Sequence, residues 1–302
     1  MKSNTHKKSH SLTQHMKTIH IVFIALGVFV GVFALTLILA PLAQSSTPSA
    51  QNVAVIPISG AITLAGSSDF FSPQTASATD IVRFIEQADE TRGIRMIVLE
   101  INSPGGSAVA SEEIAAAIRR AEKPTVAWIR EVGASGAYWI ASQTDYVIAN
   151  PMSITGSVGV IASYLEFSEF LARYNVSYEQ LTAGENKDVG SPFVRMTDEQ
   201  RSMLQAQLDS IHDYFVEDVA RGRALDENQT AQVRTGMFFL GTQARDLGLV
   251  DELGGRYEVE AYLEEQLGTT PRYRRFERQR GFFEQLAGVL HPGIPVGVRV
   301  TS

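Results

Sequence analysis

Short apolar runs alternate with amphipathic stretches along the middle of the chain. Runs rich in Val and Ile that end in Gly, Pro or Asn turns predict buried strands, and apolar residues at helical spacing predict helices. Strand and helix alternate with short connections, so the sequence predicts an α/β domain with a mainly parallel sheet. The predicted strands are 53–58, 94–101, 125–130 and 146–149, and the predicted helices are 78–90, 108–121, a short one ending near 142, and 197–222, which opens with a capping-box sequence at Thr197 and Gln200.

A different pattern precedes this domain. Residues 21–40 are 20 consecutive uncharged, mostly apolar residues, which as a helix would be about 30 Å long, the thickness of a bilayer core. Four lysines and no acid come before it, so the positive-inside rule places the N-terminus in the cytoplasm and the rest of the chain outside. A cleaved signal peptide has the same topology, but residues 41–43 match its cleavage pattern poorly. We therefore expect an uncleaved anchor in the cell membrane, in contact with lipid.

These patterns divide the chain into five predicted regions. The last of them contains the stretch 272–280, which is basic with interleaved aromatic residues; we favour a solvated helix packed on the domain there over a segment lying on an anionic membrane surface. The regions are a basic cytoplasmic N-terminus (1–18), a transmembrane anchor (19–41), a linker (42–52), an extracytoplasmic domain (53–268) and a basic and apolar tail (269–302).

Composition excludes several kinds of chemistry. All 33 acidic residues but only 22 of the 26 basic ones lie beyond residue 40, which leaves that part with a net charge of −11 and argues against nucleic acid as a partner. The chain has no cysteine, so a thiol nucleophile, disulfides and thiolate zinc sites are all excluded.

Ser135 is the candidate nucleophile. It lies between a predicted strand and a predicted helix and is flanked by Gly133, Ala134, Gly136 and Ala137. Small neighbours let a substrate approach, and a helix N-terminus favours a developing oxyanion. This is the logic of a nucleophile elbow, but Ala137 replaces the second glycine of G-x-S-x-G, so a Ser-His-Asp hydrolase is not indicated. A helix start chosen for packing alone explains the segment equally well.

A second glycine-rich turn, residues 102–107, follows another predicted strand. The carboxyl ends of parallel strands share one edge of a sheet, so this turn and Ser135 are expected to lie together. The amides of Gly106 and Gly136 could then form a two-donor oxyanion hole. The alternative, a phosphate cradle, lacks both common glycine-rich nucleotide motifs.

The general base follows by elimination. Beyond residue 40 the only histidines are His212, beside the apolar face of the long helix, and His291, in a Pro/Gly-rich stretch, and both favour a structural interpretation. Of the two lysines there, Lys123 lies about 20 Å from Ser135, at the far end of its strand, as a solvated surface charge. Lys187, in a loop bounded by Gly and Pro, remains, although the loop alone favours an ordinary exposed lysine. To lose its proton it would need burial or a nearby cation.

Five motifs in one order resemble the signal peptide peptidase A family, a group of bacterial and archaeal Ser-Lys peptidases, over residues 50 to 265. They are Asn102-Ser103-Pro104-Gly105-Gly106, Gly133-Ala134-Ser135-Gly136-Ala137-Tyr138, Thr155-Gly156-Ser157-Val158-Gly159-Val160, Lys187-Asp188 with Ser191-Pro192, and Gly248-Leu249-Val250-Asp251-Glu252-Leu253-Gly254-Gly255.

The resemblance implies a role for each matching residue. Ser135 would be the nucleophile and Lys187 the general base, with the amides of Gly106 and Gly136 as oxyanion donors and Ser157 orienting the lysine. It also implies a Clp-protease/crotonase-like fold of repeated ββα units, no metal or cofactor, and apolar peptide substrates such as signal peptides left in the membrane. The short form of the family assembles as a ring, an octamer, in which one subunit's serine meets its neighbour's lysine.

Three other functions share these features. A related inner-membrane Ser-Lys peptidase that trims quality-control substrates would use every residue named above. A crotonase-fold acyl-CoA enzyme would use the same oxyanion amides, but a domain outside the membrane would not meet cytosolic CoA. A non-catalytic scaffold would keep the fold and the ring with an inert serine.

Overall fold

The computed structural model describes residues 51–65 and 75–278. The apolar run 21–40, most of the linker 42–52 and residues 279–302, including His291, lie outside the described residues. Within the described ranges, no helix combines the length and the apolar character that a membrane span requires.

Ten strands and eight helices are found in the described ranges. The strands are β1 (Val53–Ser59), β2 (Ala61–Thr63), β3 (Thr75–Ser77), β4 (Met96–Ser103), β5 (Thr125–Ala134), β6 (Tyr146–Ala149), β7 (Ile154–Gly156), β8 (Phe238–Leu240), β9 (Glu252–Leu253) and β10 (Tyr273–Arg275). The helices are α1 (Ala78–Glu90), α2 (Ala108–Arg120), α3 (Gly136–Ser142), α4 (Ser168–Arg173), α5 (Asp198–Gly222), α6 (Glu227–Val233), α7 (Gly241–Asp246) and α8 (Arg256–Leu267).

The main sheet is parallel along its whole central path. Its strand order is β10-β1-β4-β5-β6-β9, and every neighbouring pair on this path is parallel. The last residues of β5 leave β6 and pair with β7, which pairs in antiparallel fashion with β8. The predicted α/β class with a mainly parallel sheet is confirmed, together with its predicted strands and helices, whose bounds shift by a few residues.

Apolar side chains cover both faces of this sheet. In β1, Ala54 and Ile56 face the core shared with α1, α2, α3 and α5, whereas Val53 and Val55 face a smaller core closed by α8. Burial on both faces explains why these strands read as continuous apolar runs.

Side-chain caps start the helices where the sequence predicts. Ser77 accepts a hydrogen bond from the amide of Asp80 at the start of α1. At the start of α5, Thr197 and Gln200 form both bonds of the predicted capping box.

The stretch after residue 268 corrects one expectation. Residues 273–275, which we expected to be part of a solvated helix, form β10 and pair with β1 at the edge of the main sheet. The Phe276 side chain is buried in the core of the α1 face. Backbone pairing with β1 and burial of Phe276 outweigh the helical appearance of the basic run, so the sheet continues into the range assigned to the tail.

Residues 161–195, here called the exposed segment, differ from everything around them. None of these 35 residues is buried, and apart from the short α4 they form no regular element. Eleven large apolar side chains of the segment are exposed: Ile161, Tyr164, Leu165, Phe167, Phe170, Tyr174, Val176, Tyr178, Leu181, Phe193 and Val194.

Candidate active site

Ser135 occupies a sharp turn between β5 and α3. Its backbone has φ 53° and ψ −128°, a conformation that costs a residue other than glycine free energy and needs support from its surroundings. Its amide donates to the carbonyl of Gly156 (2.8 Å), and its carbonyl accepts from the amides of Tyr138 and Trp139 (2.8 and 2.9 Å). The side chain is half-buried and makes no capping hydrogen bond, so the hydroxyl is held at a strained strand-to-helix turn of the nucleophile-elbow kind.

Helix α3, which follows Ser135, is fixed by burial and by a side-chain hydrogen bond. Every residue of α3 is buried, and the Tyr138 hydroxyl donates to the carbonyl of Leu249 (2.8 Å). Burial raises the pKa of Tyr138 well above its ordinary value, so this donor keeps its proton.

The turn after β4 packs directly against Ser135. Gly105 has φ +95°, and a Cβ on it would lie 2.7 Å from the amide nitrogen of Gly136 and 2.9 Å from the Cβ of Ser135. Both the positive φ and this close approach require glycine. The buried Ser103 fixes the turn, because its hydroxyl donates to the carbonyl of Gly60 (2.6 Å) and accepts from the amide of Gly105 (3.1 Å).

Two backbone amides beside Ser135 are free within the described part of the chain. Gly106 forms an isolated parallel bridge with Ile62, whose hydrogen bonds use the carbonyl of Gly105 and the amide of Ser107. The Gly106 amide therefore has no hydrogen-bond acceptor among the described residues, and the same is true of the Gly136 amide at the first position of α3. A Cβ on Gly136 would lie 3.4 Å from the Gly106 nitrogen, so the two donors are neighbours, as in an oxyanion hole.

Ser157 lies next to the same turn. It follows Gly156, the acceptor for the Ser135 amide, and its own amide donates to the carbonyl of Met237 (2.8 Å). Its φ is 52°, and its half-buried hydroxyl has no hydrogen bond among the described residues. The fold thus gathers Ser135, Gly106, Gly136 and Ser157 at one edge of the sheet.

Lys187 is not part of this cluster in the single chain. It is exposed, within the exposed segment, and its amide donates to the carbonyl of Gly184 (3.2 Å). In residues 51–65 and 75–278, no hydrogen bond or ion pair connects its ammonium to Ser135, Ser157 or another group. The burial that a general-base lysine requires is therefore not supplied by these residues alone.

Lys123 is bound rather than solvated, which corrects the expectation for this residue. Its ammonium donates to the carbonyls of Ala88 and Thr91 (2.8 Å each) at the end of α1. A cation there gives the two carbonyls a second donor, beside the amides of Thr91 and Ile94, and interacts favourably with the helix dipole. Lys123 has a structural role, and the elimination that leaves Lys187 is stronger for it.

Two contacts near the site were not foreseen from the sequence. His212, on α5, approaches the carbonyl of Val158 with Nε2 at 3.2 Å, which fits its predicted boundary position but adds a link to the Ser157 turn. Strand β8, which supports that turn, has only three residues and no distinctive pattern. Neither contact has a local sequence signal, because the His212 contact joins residues 54 positions apart and the β7–β8 pairing joins residues more than 80 positions apart.

One well-formed cavity lies away from Ser135. A groove of about 770 Å³ is found on the α8 side of the sheet, lined by residues such as Glu100, Trp128 and Arg130, and it does not include Ser135. Among the described residues no cluster of side chains could hold a metal ion.

A serine at a strained turn between a strand and a helix, in an α/β fold, is typical of hydrolases. Comparison with known sequences gives the class of protein. Residues 117–270 match the sequence pattern of peptidase family S49. This range contains Ser135 and Lys187 but not Gly106. The chain belongs to peptidase family S49.

Named relatives lie within the same family. A provisionally named protease of Methanocaldococcus jannaschii is 32% identical over 65% of this chain and 63% of its own length. A provisionally named signal peptide peptidase SppA of Enterococcus faecium is 32% identical over 68% and 61%. Protease 4 of Haemophilus influenzae is 32% identical over 69% and 34%. The chain thus spans less than two thirds of each relative. The resemblance to signal peptide peptidase A, and with it membership of a peptidase family, is confirmed.

Proposed function

We propose that this chain is a membrane-anchored serine endopeptidase in which Ser135 is the nucleophile and Lys187 the general base. The observation that carries the proposal is the strained backbone of Ser135 beside the two unbonded amides of Gly106 and Gly136. Backbone strain of this kind clusters at functional sites. Ser157 would orient the lysine ammonium.

The reaction follows from these groups. Neutral Lys187 removes the hydroxyl proton of Ser135 while the oxygen attacks the peptide carbonyl carbon, and the amides of Gly106 and Gly136 hold the resulting oxyanion. The C–N bond breaks as the lysine returns the proton to the leaving amine, which leaves an acyl-enzyme. Water, deprotonated by the same lysine, then attacks the ester and frees Ser135.

A second copy of the chain completes this dyad in our proposal. Lys187 is exposed within a segment that carries eleven exposed apolar side chains, far more than the surface of a monomer normally tolerates in one stretch. Covering the segment with a neighbouring copy would bury these side chains and could place Lys187 beside that copy's Ser135. We propose a homo-oligomeric ring of the Clp-protease/crotonase-like architecture, with eight copies by family resemblance.

Substrate and location complete the proposal. The apolar run 21–40 would anchor the chain in the cell membrane, with the peptidase domain outside and lipid around the anchor. Apolar peptides, signal peptides left in the membrane foremost, are the proposed substrates, as the name of the Enterococcus faecium relative suggests. The residues named above suffice for the chemistry without a metal or cofactor, and nucleic acid is not a proposed partner.

Labelling with a serine-reactive fluorophosphonate tests the nucleophile. The wild-type chain in detergent or nanodiscs should be labelled and should cleave an apolar peptide, whereas Ser135→Ala should lose both by at least about a thousandfold with an unchanged melting temperature. Ser202→Ala, which removes an exposed hydroxyl on α5, should behave as wild type. An unlabelled wild-type protein would instead indicate a non-catalytic scaffold.

Mixing inactive variants tests the shared dyad. Ser135→Ala and Lys187→Ala should each be inactive alone, because each copy lacks one partner. Co-assembled in equal amounts, they should regain activity at sites that combine an intact serine with an intact lysine. Continued inactivity of co-assembled rings would place both residues of a dyad in one chain.

A further inference from the structure

Asp218 is a buried carboxylate that the proposed chemistry does not use. It lies on α5 with its side chain 3% exposed. One oxygen accepts from the Arg119 guanidinium (2.6 Å) and from the indole N–H of Trp139 (2.7 Å), and the other accepts from Arg221 (2.9 Å). A buried carboxylate with three donors is costly to disturb, since loss of one partner leaves charge uncompensated.

The partners of Asp218 belong to the two helices that deliver the oxyanion amides. Arg119 lies in the last turn of α2, which begins just after Gly106, and Trp139 lies in α3, whose first residue is Gly136. One carboxylate oxygen of Asp218 therefore accepts hydrogen bonds from side chains of both helices. The side-chain amide of Gln143, directly after α3, adds a bond to the Asp218 carbonyl (3.1 Å).

Contacts along both helices make their spacing sensitive to this bridge. Near the amino ends, a Cβ on Gly136 would lie 2.2 Å from the Ser111 hydroxyl, so α2 and α3 already touch without free space. Toward the other end, Phe215 of α5 stacks on Trp139 with ring centroids 4.3 Å apart. Because the backbone hydrogen bonds of a helix make it stiff, a shift at Arg119 or Trp139 would also move the amino ends of α2 and α3, where the amides of Gly106 and Gly136 lie.

We infer that Asp218 is a positioning residue, which holds α2 and α3 at the separation that aims the amides of Gly106 and Gly136 at one oxyanion. This inference rests on the proposed function and adds to it. It predicts an effect on the chemical step, because a misplaced oxyanion hole weakens transition-state binding more than substrate binding. A purely structural role would lower the melting temperature and leave the folded enzyme's kcat unchanged.

The test compares two Asp→Asn variants on the same helix, in the full chain and well below the melting temperature. Asp218→Asn should lower kcat per folded site by at least about tenfold, since a misplacement of about 1 Å costs on the order of a hundredfold, with KM nearly unchanged. Fluorophosphonate labelling of Ser135 should slow by a similar factor. Asp213→Asn, which breaks only the exposed pair with Arg234, should match wild type in both measurements.

A second variant covers the case in which Asp218→Asn fails to fold. Trp139→Phe keeps an aromatic ring on Phe215 and removes the N–H donor together with part of the indole volume, so it should fold with a somewhat lower melting temperature and show a smaller loss of kcat of the same kind. Wild-type kcat per folded site in these variants would overturn the inference. If wild type is labelled and Trp139→Phe is labelled equally fast, the inference alone fails; an unlabelled wild type would overturn the proposed function and this inference together.

Discussion

The serine side of the proposed site and the segment that carries the lysine differ sharply in burial, although only three residues separate them along the chain. The serine side, residues 96–157, consists of strands and helices buried on the sheet, with Ser135 held through its amide, its carbonyl and a fully buried helix. The exposed segment, residues 161–195, has no buried residue. The serine side is buried by residues of its own chain, whereas the large apolar side chains of the exposed segment are not covered by any described residue.

This difference is informative because hydrophobic side chains in a stable monomer are normally covered. Burial of apolar surface contributes roughly 25 cal/mol per Å², and the exposed segment forgoes it at eleven large side chains. A segment with this sequence is expected to fold against something outside the described residues. We therefore expect mutations on the serine side to act within one chain and mutations in the exposed segment to act on assembly and activity.

The largest effect on stability is expected from truncating a buried side chain that packs on the serine side, and almost none from truncating a side chain in the exposed segment. Phe215→Ala removes a ring that is 2% exposed and stacked on Trp139, and should lower the free energy of unfolding by about 3–5 kcal/mol. Leu181→Ala, at a fully exposed side chain, should change it by less than about 0.5 kcal/mol. Urea unfolding monitored by circular dichroism gives both values.

Leu181→Ala should nevertheless weaken assembly. Burying a leucine at an interface contributes about 1.5–3 kcal/mol, so sedimentation of the full chain in detergent should show an oligomer that dissociates at roughly tenfold higher concentration. Identical assembly of Leu181→Ala and wild type would remove the exposed segment from the proposed interface.

A smaller effect is expected from adding one methyl group to a glycine with positive φ in each region. Gly105→Ala places Cβ 2.7 Å from the Gly136 nitrogen and should cost about 3 kcal/mol from overpacking and backbone strain together. Gly190→Ala has φ +85° but nothing within 4 Å, so only the strain of about 1–2 kcal/mol remains. Thermal unfolding checks the order; equal costs would mean that the turn of Gly105 is looser than described.

The smallest effect on stability, and the sharpest contrast, is expected from the two lysines. Lys123→Ala should lower the free energy of unfolding by about 1–2 kcal/mol, because two carbonyls at the end of α1 lose their charged second donor, and should keep peptidase activity. Lys187→Ala should leave stability within about 0.5 kcal/mol and abolish activity. Chemical unfolding and peptide cleavage, measured on both variants, separate the roles; an active Lys187→Ala would remove it as the base.

Local sequence patterns were sufficient for the serine side and for the longer strands and helices elsewhere, but not for the shortest elements. The small residues around Ser135 and the turn 102–107 follow strongly apolar strands, so their position at one sheet edge could be predicted. β8 and β10 could not, because each has three residues and owes its place to pairing with β7 or β1. The bound state of Lys123 was missed for the same reason, since its acceptors lie more than 30 residues away.

By itself the sequence determined the alternation of strand and helix, the turn that holds Ser135 and, by exclusion of cysteine and most histidines and lysines, the choice of Lys187. These are properties of residue type and short spacing, which act within a few residues. The tertiary structure alone decided that the amides of Gly106 and Gly136 are adjacent and unbonded, that Asp218 bridges the helices behind them, and that Lys187 stands apart from Ser135. Such features depend on where distant segments meet, which only the packing of the whole domain fixes.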